Sequence, residues 1–536
     1  MAGPLAERAL VLIGFMGAGK TTAAAQLASA LGATAIDSDR LVEQRLGRSI
    51  AEEVEEHGEG RFRAVEEEVV LDLLDRVDGG AVVSLGGGAV LSPRVRAALG
   101  RHIAVYLEAD PETAWRRLGS GRSNRPLARD RQRFLELFRA REPLYNQLAK
   151  AVVPTGTPPP LGATEPLGKR VAWALAALRE LPTGARLLWA WSRVAEYPVF
   201  VATGLLRQPA VREGKVVPPK LRAGRSFLVA DRAVVGTYGL LLWPQAEVVE
   251  VSGGEQSKTV EGAQRIWRAL ARAGMRRSDF LTALGGGVVG DLAGFCAATY
   301  QRGVPVVHVP TTVVAQVDSA YGGKTGVDLP EAKNYVGAYH QPAAVVVDPA
   351  TLATLPERER NAGWVEVLKT ALIAGGWLWE KVAGGGELDE EVVFGCARTK
   401  CAIVASDERD AGIRQVLNLG HTIGHALETA TGYQRLRHGE AVGLGLLAAL
   451  RLSSQPALRR QVEELLRARG LPTELEGTSV EAVLEAVGRD KKRVGEQVLF
   501  VLVQEPGKVV PGCPVPAREV AAAIAELLAG RKGAAR

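Results

Sequence analysis

Gly14-Phe-Met-Gly-Ala-Gly19-Lys20-Thr21 decides how the N-terminal part of this chain is read. It follows the apolar run Ala9–Ile13 and opens Thr21–Leu31, whose apolar spacing predicts a helix. Strand, glycine-rich turn and helix in that order are the context in which a GxxxxGK[ST] pattern binds phosphate. The glycines let backbone N–H groups turn inward around phosphates, and the helix N-terminus adds positive partial charge. Lys20 would reach the β- and γ-phosphates and the Thr21 hydroxyl would hold Mg²⁺, so ATP with Mg²⁺ is the expected ligand. Further along, Ser49-Ile-Ala-Glu52 reads as a capping box, and Ala81–Leu85 and Ile103–Leu107 read as short strands between helical patterns. Such alternation signals βαβ units on a parallel sheet.

A phosphoryl acceptor needs its own polar groups. Asp37-Ser-Asp39 places two carboxylates on one face of an extended segment near the phosphate loop. One suits the metal and the other an acceptor hydroxyl. Arg63, Arg125 and Arg141 add guanidinium groups able to grip a carboxylate through two hydrogen bonds. Gly86-Gly-Gly88 permits close backbone approach to a small ligand.

Pro154–Gly168 carries five prolines in fifteen residues, a break that no packed element tolerates well. A helical stretch at Arg170–Leu181 and a smaller break at Pro182-Thr-Gly-Ala follow. These place one module at residues 1–182, with its linker inside 154–168, and a second from 185 onward. In the second module Val199–Ala202, Ser226–Ala230, Ala246–Val251, Phe280–Leu284 and Val306–Val309 read as strands. From Glu357 to Leu452 the pattern is helical. The expectation is an α/β domain at 185–349 and a mainly α-helical domain at 350–536, with a site in the cleft between them.

Leu284-Gly-Gly-Gly-Val-Val-Gly-Asp291 follows a strand and opens a helix, so it can approach a pyrophosphate, although it is not the standard GxGxxG. Gly254-Glu-Gln-Ser-Lys258 and Pro310-Thr-Thr312 add polar groups at strand ends. Of seven histidines, three fall in Asn418-Leu-Gly-His421-Thr-Ile-Gly-His425-Ala-Leu-Glu and His438-Gly-Glu440. His421 and His425 share a helix face. Two histidines with a carboxylate make the three-ligand set of an open, catalytic Zn²⁺ site, and a satisfied helix pair is the plain alternative. Thr422 stands where an HExxH protease would have its glutamate. Lys324, Lys333, Asn334, Lys369, Lys400, Arg302 and Arg414, if they converge, suit a substrate carrying phosphate and carboxylate.

The balance of 66 Lys+Arg against 60 Asp+Glu gives a net charge of +6, without the clustered excess of a nucleic-acid binder. The length suggests about three or four domain-sized units. Cys296, Cys396, Cys401 and Cys513 form neither a disulfide framework nor a metal spacing. The N-terminal apolar run is too short for a signal peptide or a membrane span. The chain therefore reads as cytoplasmic, with small-molecule substrates and no nucleic acid or membrane partner.

Taken together, GFMGAGKTT, DSD, RFRAVEEE, SLGGGAV, SNRPLAR and AREPLY resemble shikimate kinase through most of the first module. The resemblance implies a P-loop NTPase-type parallel sheet domain. It places ATP on Gly17, Ala18, Gly19, Lys20, Thr21 and Thr22, with Arg117 near the adenine-stacking position beside Arg116. Arg125 would belong to a lid, Gly119–Arg131. Asp39, Arg63, Gly87 and Arg141 would bind shikimate, Asp39 nearest its 3-hydroxyl, and Asp37 would act on Mg²⁺ through water.

GGEQSK, LGGGVVGDLAGF, TYQRG, PTTVVAQVDSAYGGKTGVD, AKNYVGAYHQP, WVEVLK, RQVLNLGHTIGHALE, RHGEAVG and DKK resemble 3-dehydroquinate synthase through most of the second. That likeness implies a Rossmann-like NAD half and a helical metal half. It assigns Glu366, His421 and His438 to Zn²⁺ (or Co²⁺) and makes His425 a substrate contact instead of a ligand. Asp231, Glu255, Lys258, Gly287, Asp291, Thr311, Thr312, Asp318 and Ser319 would hold NAD. Arg302, Lys324, Lys333, Asn334, Lys369, Lys400, Arg414, Asn418, His425 and Lys491 would hold the heptulosonate phosphate substrate, with Lys324, Lys369, Lys400 and His425 closest to the chemistry. Asp231-Arg-Ala lacks an Asn that some members show, which touches one adenosine contact.

The two resemblances together imply a bifunctional fusion with separate sites, compatible with a homodimer through the C-terminal unit. One site would phosphorylate shikimate; the other would convert 3-deoxy-arabino-heptulosonate 7-phosphate to 3-dehydroquinate and phosphate. Three rivals stay open: a metal-dependent polyol dehydrogenase, a cyclase for another sugar phosphate, and a first module that binds nucleotide without kinase activity.

Overall fold

The structure is a computed structural model and describes residues 8–119, 130–156, 158–243, 246–489, 493–494 and 497–528. The chain divides into two compact units, Met1–Ala223 and Gly224–Arg536. Among the described residues no helix is long and apolar enough to cross a membrane.

The first unit is built on a sheet in the order Thr34–Asp37, Ala81–Ser84, Leu10–Ile13, Ile103–Glu108, Ala151–Pro154, Arg186–Trp191 and Glu196–Val201. All neighbours are parallel except the last pair. The inner strands are apolar on both faces and fully buried, as a sheet covered by helices requires. Helix Lys20–Leu31 starts at Gly19, whose φ of 88° is left-handed. The predicted capping box forms, with Ser49 and Glu52 each satisfying the other's backbone N–H.

The division expected at 182–185 falls on a tight turn. Ala185 N–H donates to Pro182 O at 2.8 Å, closing a tight turn. The chain then adds strand Arg186–Trp191 in parallel to Ala151–Pro154 and returns antiparallel through Glu196–Val201. The compact unit that contains this hairpin ends near residue 223. Sheet pairing outweighs the Pro-Thr-Gly signal. The proline-rich stretch is also shorter than it reads, because helix Leu167–Arg179 begins inside it and Gly168 N–H donates to Gln26 Oε1 at 3.1 Å.

The second unit opens with a parallel sheet ordered Ala344–Val347, Val306–Pro310, Phe280–Gly285, Ser226–Asp231 and Glu247–Val251. Its core beneath helices Val260–Arg272 and Gly287–Thr299 includes Phe227, Ile266, Leu281, Leu292 and Phe295. An antiparallel hairpin, Lys324–Leu329 with Ala332–Tyr339, packs against helix Gly287–Thr299 and buries Val327 in the same core. Helices Glu357–Ala374, Glu390–Ser406, His421–Ala430 and His438–Leu452 form the following half. That half is not all helix, since Gln497–Glu505 pairs antiparallel with Lys508–Pro514.

A fragment of residues 1–223 should melt in one cooperative transition. A fragment of residues 1–182 leaves the Ala151–Pro154 edge unpaired. It should aggregate, or melt roughly 5 °C lower or more, the shift that about 2 kcal/mol produces in a domain of this size. Circular dichroism melts with light scattering distinguish the two outcomes.

Candidate active sites

In the first unit the phosphate loop is held by close packing. A Cβ at Gly17 would lie 2.4 Å from the Ala114 carbonyl oxygen, so no larger residue fits there without movement. Gly17, Ala18, Gly19, Lys20, Thr21 and Thr22 lie on this loop and the first turn of its helix. The Lys20 ammonium donates to the carbonyls of Gly14 and Phe15 at 2.9 and 3.2 Å, folding across the loop. Thr21 Oγ1 donates to Asp37 Oδ2 at 2.8 Å, which places a hydroxyl and a carboxylate together where Mg²⁺ was expected. Asp37 Oδ1 accepts from Asp39 N–H at 3.0 Å and so caps the helix carrying Asp39.

Asp37, Asp39, Arg63, Gly87 and Arg141 line one cavity of about 790 Å³. Arg63 pairs with Glu59 at 2.9 Å and with Glu66, three residues along its own helix. Arg141 is only 2% exposed, and burial lowers its pKa. Burial raises Glu66 above the usual carboxylate range, against the pull of Arg63. Glu66 was not anticipated, although its spacing from Arg63 was a readable signal. Tyr145 was also missed; its phenol donates to the Gly87 carbonyl at 2.5 Å. Arg117 Nη1 reaches Thr155 Oγ1 at 3.5 Å beside the loop. Arg125, and all of the expected lid except Gly119, Asp130 and Arg131, lies outside the described residues.

In the second unit the expected dinucleotide groups gather at the carboxyl ends of the parallel strands. Asp231 ends its strand and accepts from Ala233 N–H at 2.9 Å. Thr311 N–H donates to Gly285 O at 2.9 Å. A Cβ at Gly286 would lie 2.9 Å from the Thr312 methyl, and one at Gly287 would lie 3.1 Å from Ser319 Oγ, so bare backbone lines this cradle. Lys258 pairs with Asp291 at 2.6 Å and donates to Asn334 Oδ1 at 2.5 Å, while Lys333 approaches Glu255 at 3.8 Å. Groups expected to hold cofactor and groups expected to hold substrate thus share one hydrogen-bonded cluster.

The helical half brings together the expected metal set. Glu366 Oε1 lies 3.5 Å from His421 Nε2 and 3.3 Å from His438 Nε2, and the three ligand atoms fall within 4.8 Å of one another. Glu366 is fully buried, with Lys369 at one oxygen and the Nε2 atoms of both histidines at the other, so that second oxygen and the two rings can share a cation. His421 Nδ1 faces the Leu419 carbonyl at 3.1 Å and His438 Nδ1 faces Glu428 at 3.5 Å, which orients both rings. Burial, then Lys369, holds the His421 pKa well below the histidine range, leaving the ring neutral as a ligand must be. Burial opposes charge on His438 too, but its bonds to Glu366 and Glu428 push it up to about 10.

His425 sits 5.3 Å from His421 by ring centroids and is exposed; with Glu428 and His438 it forms a second, more open group. Glu428 escaped notice, though it stands seven residues after His421 on the same helix face.

Beside this set lies a row of charges. Lys369 contacts Glu366 at 2.5 Å and Asp318 at 3.5 Å, and Lys400 pairs with Asp318 and donates to its carbonyl at 2.7 Å. Burial would raise Asp318, yet Lys369 and Lys400 bring it down to about 2. Burial lowers Lys400, with Asp318 opposing. Arg414 is 2% exposed and donates to the carbonyls of Glu408 and Gly322 at 2.6 and 3.0 Å. Asn418 ends the short helix that carries Arg414. Lys324 pairs with Asp410 at 2.5 Å. Arg302 is exposed after helix Gly287–Thr299 and makes no ion pair among the described residues. Lys491 lies outside them.

Family models match stretches of both units. Residues 16–172 match shikimate kinase, residues 248–362 the N-terminal part of 3-dehydroquinate synthase, and residues 363–493 its C-terminal part. The 3-dehydroquinate synthase of Halorhodospira halophila is 44% identical over 339 residues, covering 60% of this chain and 94% of the relative. A 2-deoxy-scyllo-inosose synthase solved with carbaglucose-6-phosphate, NAD⁺ and Co²⁺ shares the fold at TM-score 0.56 and 23% identity, covering 64% of this chain and all of the other. The 2-epi-5-epi-valiolone synthase of Streptomyces hygroscopicus, solved with NAD⁺ and Zn²⁺, superposes at TM-score 0.56 with 26% identity, covering 63% of this chain and 98% of the other. With that much of a relative matched, and with a shikimate kinase domain ahead of the matched part, this chain belongs to the 3-dehydroquinate synthase family as a fusion of two shikimate-pathway enzymes.

Proposed function

We propose that the first unit transfers the γ-phosphoryl group of Mg·ATP to the 3-hydroxyl of shikimate, and that the second closes 3-deoxy-arabino-heptulosonate 7-phosphate to 3-dehydroquinate with loss of phosphate. The observation that carries this reading is the convergence of Glu366, His421 and His438 within 4.8 Å beside Lys369, in a chain whose other unit joins Thr21 to Asp37 under a phosphate loop.

In the kinase, Lys20 leaves the loop carbonyls to pair with the transferring phosphates, and Thr21 with Asp37 holds Mg²⁺. Asp39 accepts the proton of the attacking hydroxyl as the phosphoryl group passes across and ADP leaves. Arg63 and Arg141 grip the substrate carboxylate. Arg63 exchanges its Glu59 contact for that carboxylate, while Glu66 keeps its guanidinium in place.

In the synthase, a divalent metal (Zn²⁺ or Co²⁺) and NAD supply, when bound, polarisation of a substrate oxygen and reversible hydride exchange at the neighbouring carbon. Glu366, His421 and His438 hold the metal. Asp231, Gly287, Thr312 and Ser319 hold the dinucleotide, where the glycine backbone leaves room for it. Lys369 and Lys400 are fixed by Asp318, so they present charge to the substrate without rearranging. Lys324, Lys333, Asn334, Arg414, Asn418 and His425 take its phosphate and carboxylate. A carboxylate-and-phosphate substrate explains the number of cations better than a plain polyol does.

Lys20→Ala should lower ADP release in the presence of shikimate by at least about a hundredfold. It should leave phosphate release from the heptulosonate phosphate unchanged. His421→Ala should do the reverse. Loss of both activities from either change would sink the reading. Stripping the metal with a chelator, followed by assay with Mg²⁺ restored, should silence the synthase alone, and Zn²⁺ or Co²⁺ should restore it. Glu428→Gln weakens the support of His438 and should loosen metal binding by roughly ten- to a hundredfold in competition with a chromophoric chelator.

A further inference from the structure

Helix His421–Ala430, which carries His421 and Glu428, ends in a turn where Gly432 and Tyr433 follow one another at φ of 66° and 59°. Both values are left-handed. Glycine takes that conformation freely and is the usual residue just past a helix end. In an aromatic residue it drives Cβ against the next carbonyl oxygen, so the turn stores strain that its contacts must outweigh. Two contacts hold it: Tyr433 N–H donates to the Glu428 carbonyl at 2.8 Å, and the phenol shares a hydrogen bond with Thr429 Oγ1 at 2.9 Å. The side chain is half exposed, so burial in a core does not account for it.

What the turn achieves is the position of the ring. Lys333 Nζ stands 4.5 Å from the ring centroid, within reach of a cation–π attraction. Lys333 lies on strand Ala332–Tyr339 and Tyr433 beyond the metal-bearing helix, so the contact ties the α/β half of the second unit to its helical half. The backbone beneath Lys333 is fixed separately. Asn334 is left-handed too, at φ 56°, and its N–H donates to Asp328 Oδ1 at 2.7 Å. Asp328 N–H donates to the Lys258 carbonyl at 2.7 Å, and Lys258 Nζ donates to Asn334 Oδ1, which closes a ring. That ring sets where the Lys333 stem starts, but the flexible four-carbon stem could carry the ammonium in many directions. Glu255, at 3.8 Å, and the Tyr433 face narrow the choice. A second carboxylate in place of the tyrosine would compete with an anionic ligand for the ammonium. An aromatic face orients the charge and leaves it available.

We propose that Tyr433 is a positioning residue of the synthase, whose ring holds the Lys333 ammonium toward the helical half to receive an anionic group of the substrate. The strain in the turn is what places the ring there. The inference rests on the synthase reading above and adds to it a residue that no motif or spacing marks.

The test uses the full-length chain with Zn²⁺ and NAD. Tyr433→Phe keeps the ring face and should leave the KM for the heptulosonate phosphate within about 1.5-fold of the wild type. Tyr433→Leu removes the face and should raise that KM about three- to fivefold, with kcat within about 1.5-fold. In a Lys333→Ala background the leucine change should add less than about 1.5-fold, because the ring acts through the ammonium. Tyr433→Asn, which suits a left-handed backbone, should raise KM by the same factor yet melt no lower than the wild type. Equal KM values for the Phe and Leu variants would overturn the proposal. So would a leucine effect that persists in full without Lys333, or an Asn variant melting more than about 3 °C lower, since either marks a structural prop. If the wild type releases no phosphate from the heptulosonate phosphate, the synthase reading fails. Calorimetric binding of inorganic phosphate then decides Tyr433: affinity about threefold weaker for Leu than for Phe supports the proposal, and equal affinity overturns it.

Discussion

Four charges alternate along the buried floor of the synthase site: Glu366, Lys369, Asp318 and Lys400. Glu366 and Lys369 are almost wholly removed from water. Isolated, any one of them would be driven toward its neutral form, but in sequence each holds its neighbour ionised. Breaking such a buried row by removing one member costs about 3–5 kcal/mol, because the partner is left uncompensated. The row also sets what can sit at its end. Glu366 stays anionic under the pull of Lys369, despite burial, and His421 stays neutral under burial and the same lysine. An anionic carboxylate and a neutral imidazole at one point are ready-made ligands for a divalent cation, with no proton to displace from His421.

Backbone contact supplies the geometry that charge alone would not. Helix His438–Leu452 crosses the start of helix His421–Ala430 so closely that a Cβ on Gly445 would lie 1.9 Å from the Gly420 carbonyl oxygen. A Cβ on Gly439 would lie 1.8 Å from the carbonyl oxygen of Ala362, on the helix that carries Glu366. Two glycines on one helix therefore set its distance from both of the others, and the His421 and His438 rings meet at 5.3 Å between centroids. A methyl group at either place would separate two ligand-bearing helices, so these glycines belong to the site as firmly as the ligands do.

The parts that were legible in the sequence are those whose signal is local. Gly14 to Thr21 declares strand, turn and helix within a few residues. His421, His425 and His438 stand out because histidine is scarce in this chain. Glu366 has no such signal: Trp-Val-Glu-Val-Leu-Lys reads as ordinary helix, and only resemblance singled it out. Its burial follows from packing against two other helices, which no window on the sequence contains. Glu66 and Glu428 were readable in principle, since each lies on the helix face of a chosen residue, but they act through that residue and carry no motif. The pairing of Arg186–Trp191 with Ala151–Pro154 was not legible, because Pro182-Thr-Gly signals a break locally whereas the partner strand lies some distance back along the chain. Parallel pairing of this kind is long-range by construction.

The two sites also differ in how they meet their substrates. The kinase keeps its cations engaged with its own protein, Lys20 on loop carbonyls and Arg63 on Glu59 and Glu66, so binding must exchange contacts. The synthase fixes Lys369 and Lys400 on Asp318 in a row that a substrate can meet without breaking it. Every assigned group of the kinase lies before residue 200, and every assigned group of the synthase lies after residue 230. No group assigned to one reaction lies in the other unit, and the product of neither is the substrate of the other. What the fusion fixes is therefore the ratio of the two activities, one kinase site made for every synthase site, with no intermediate to hand across.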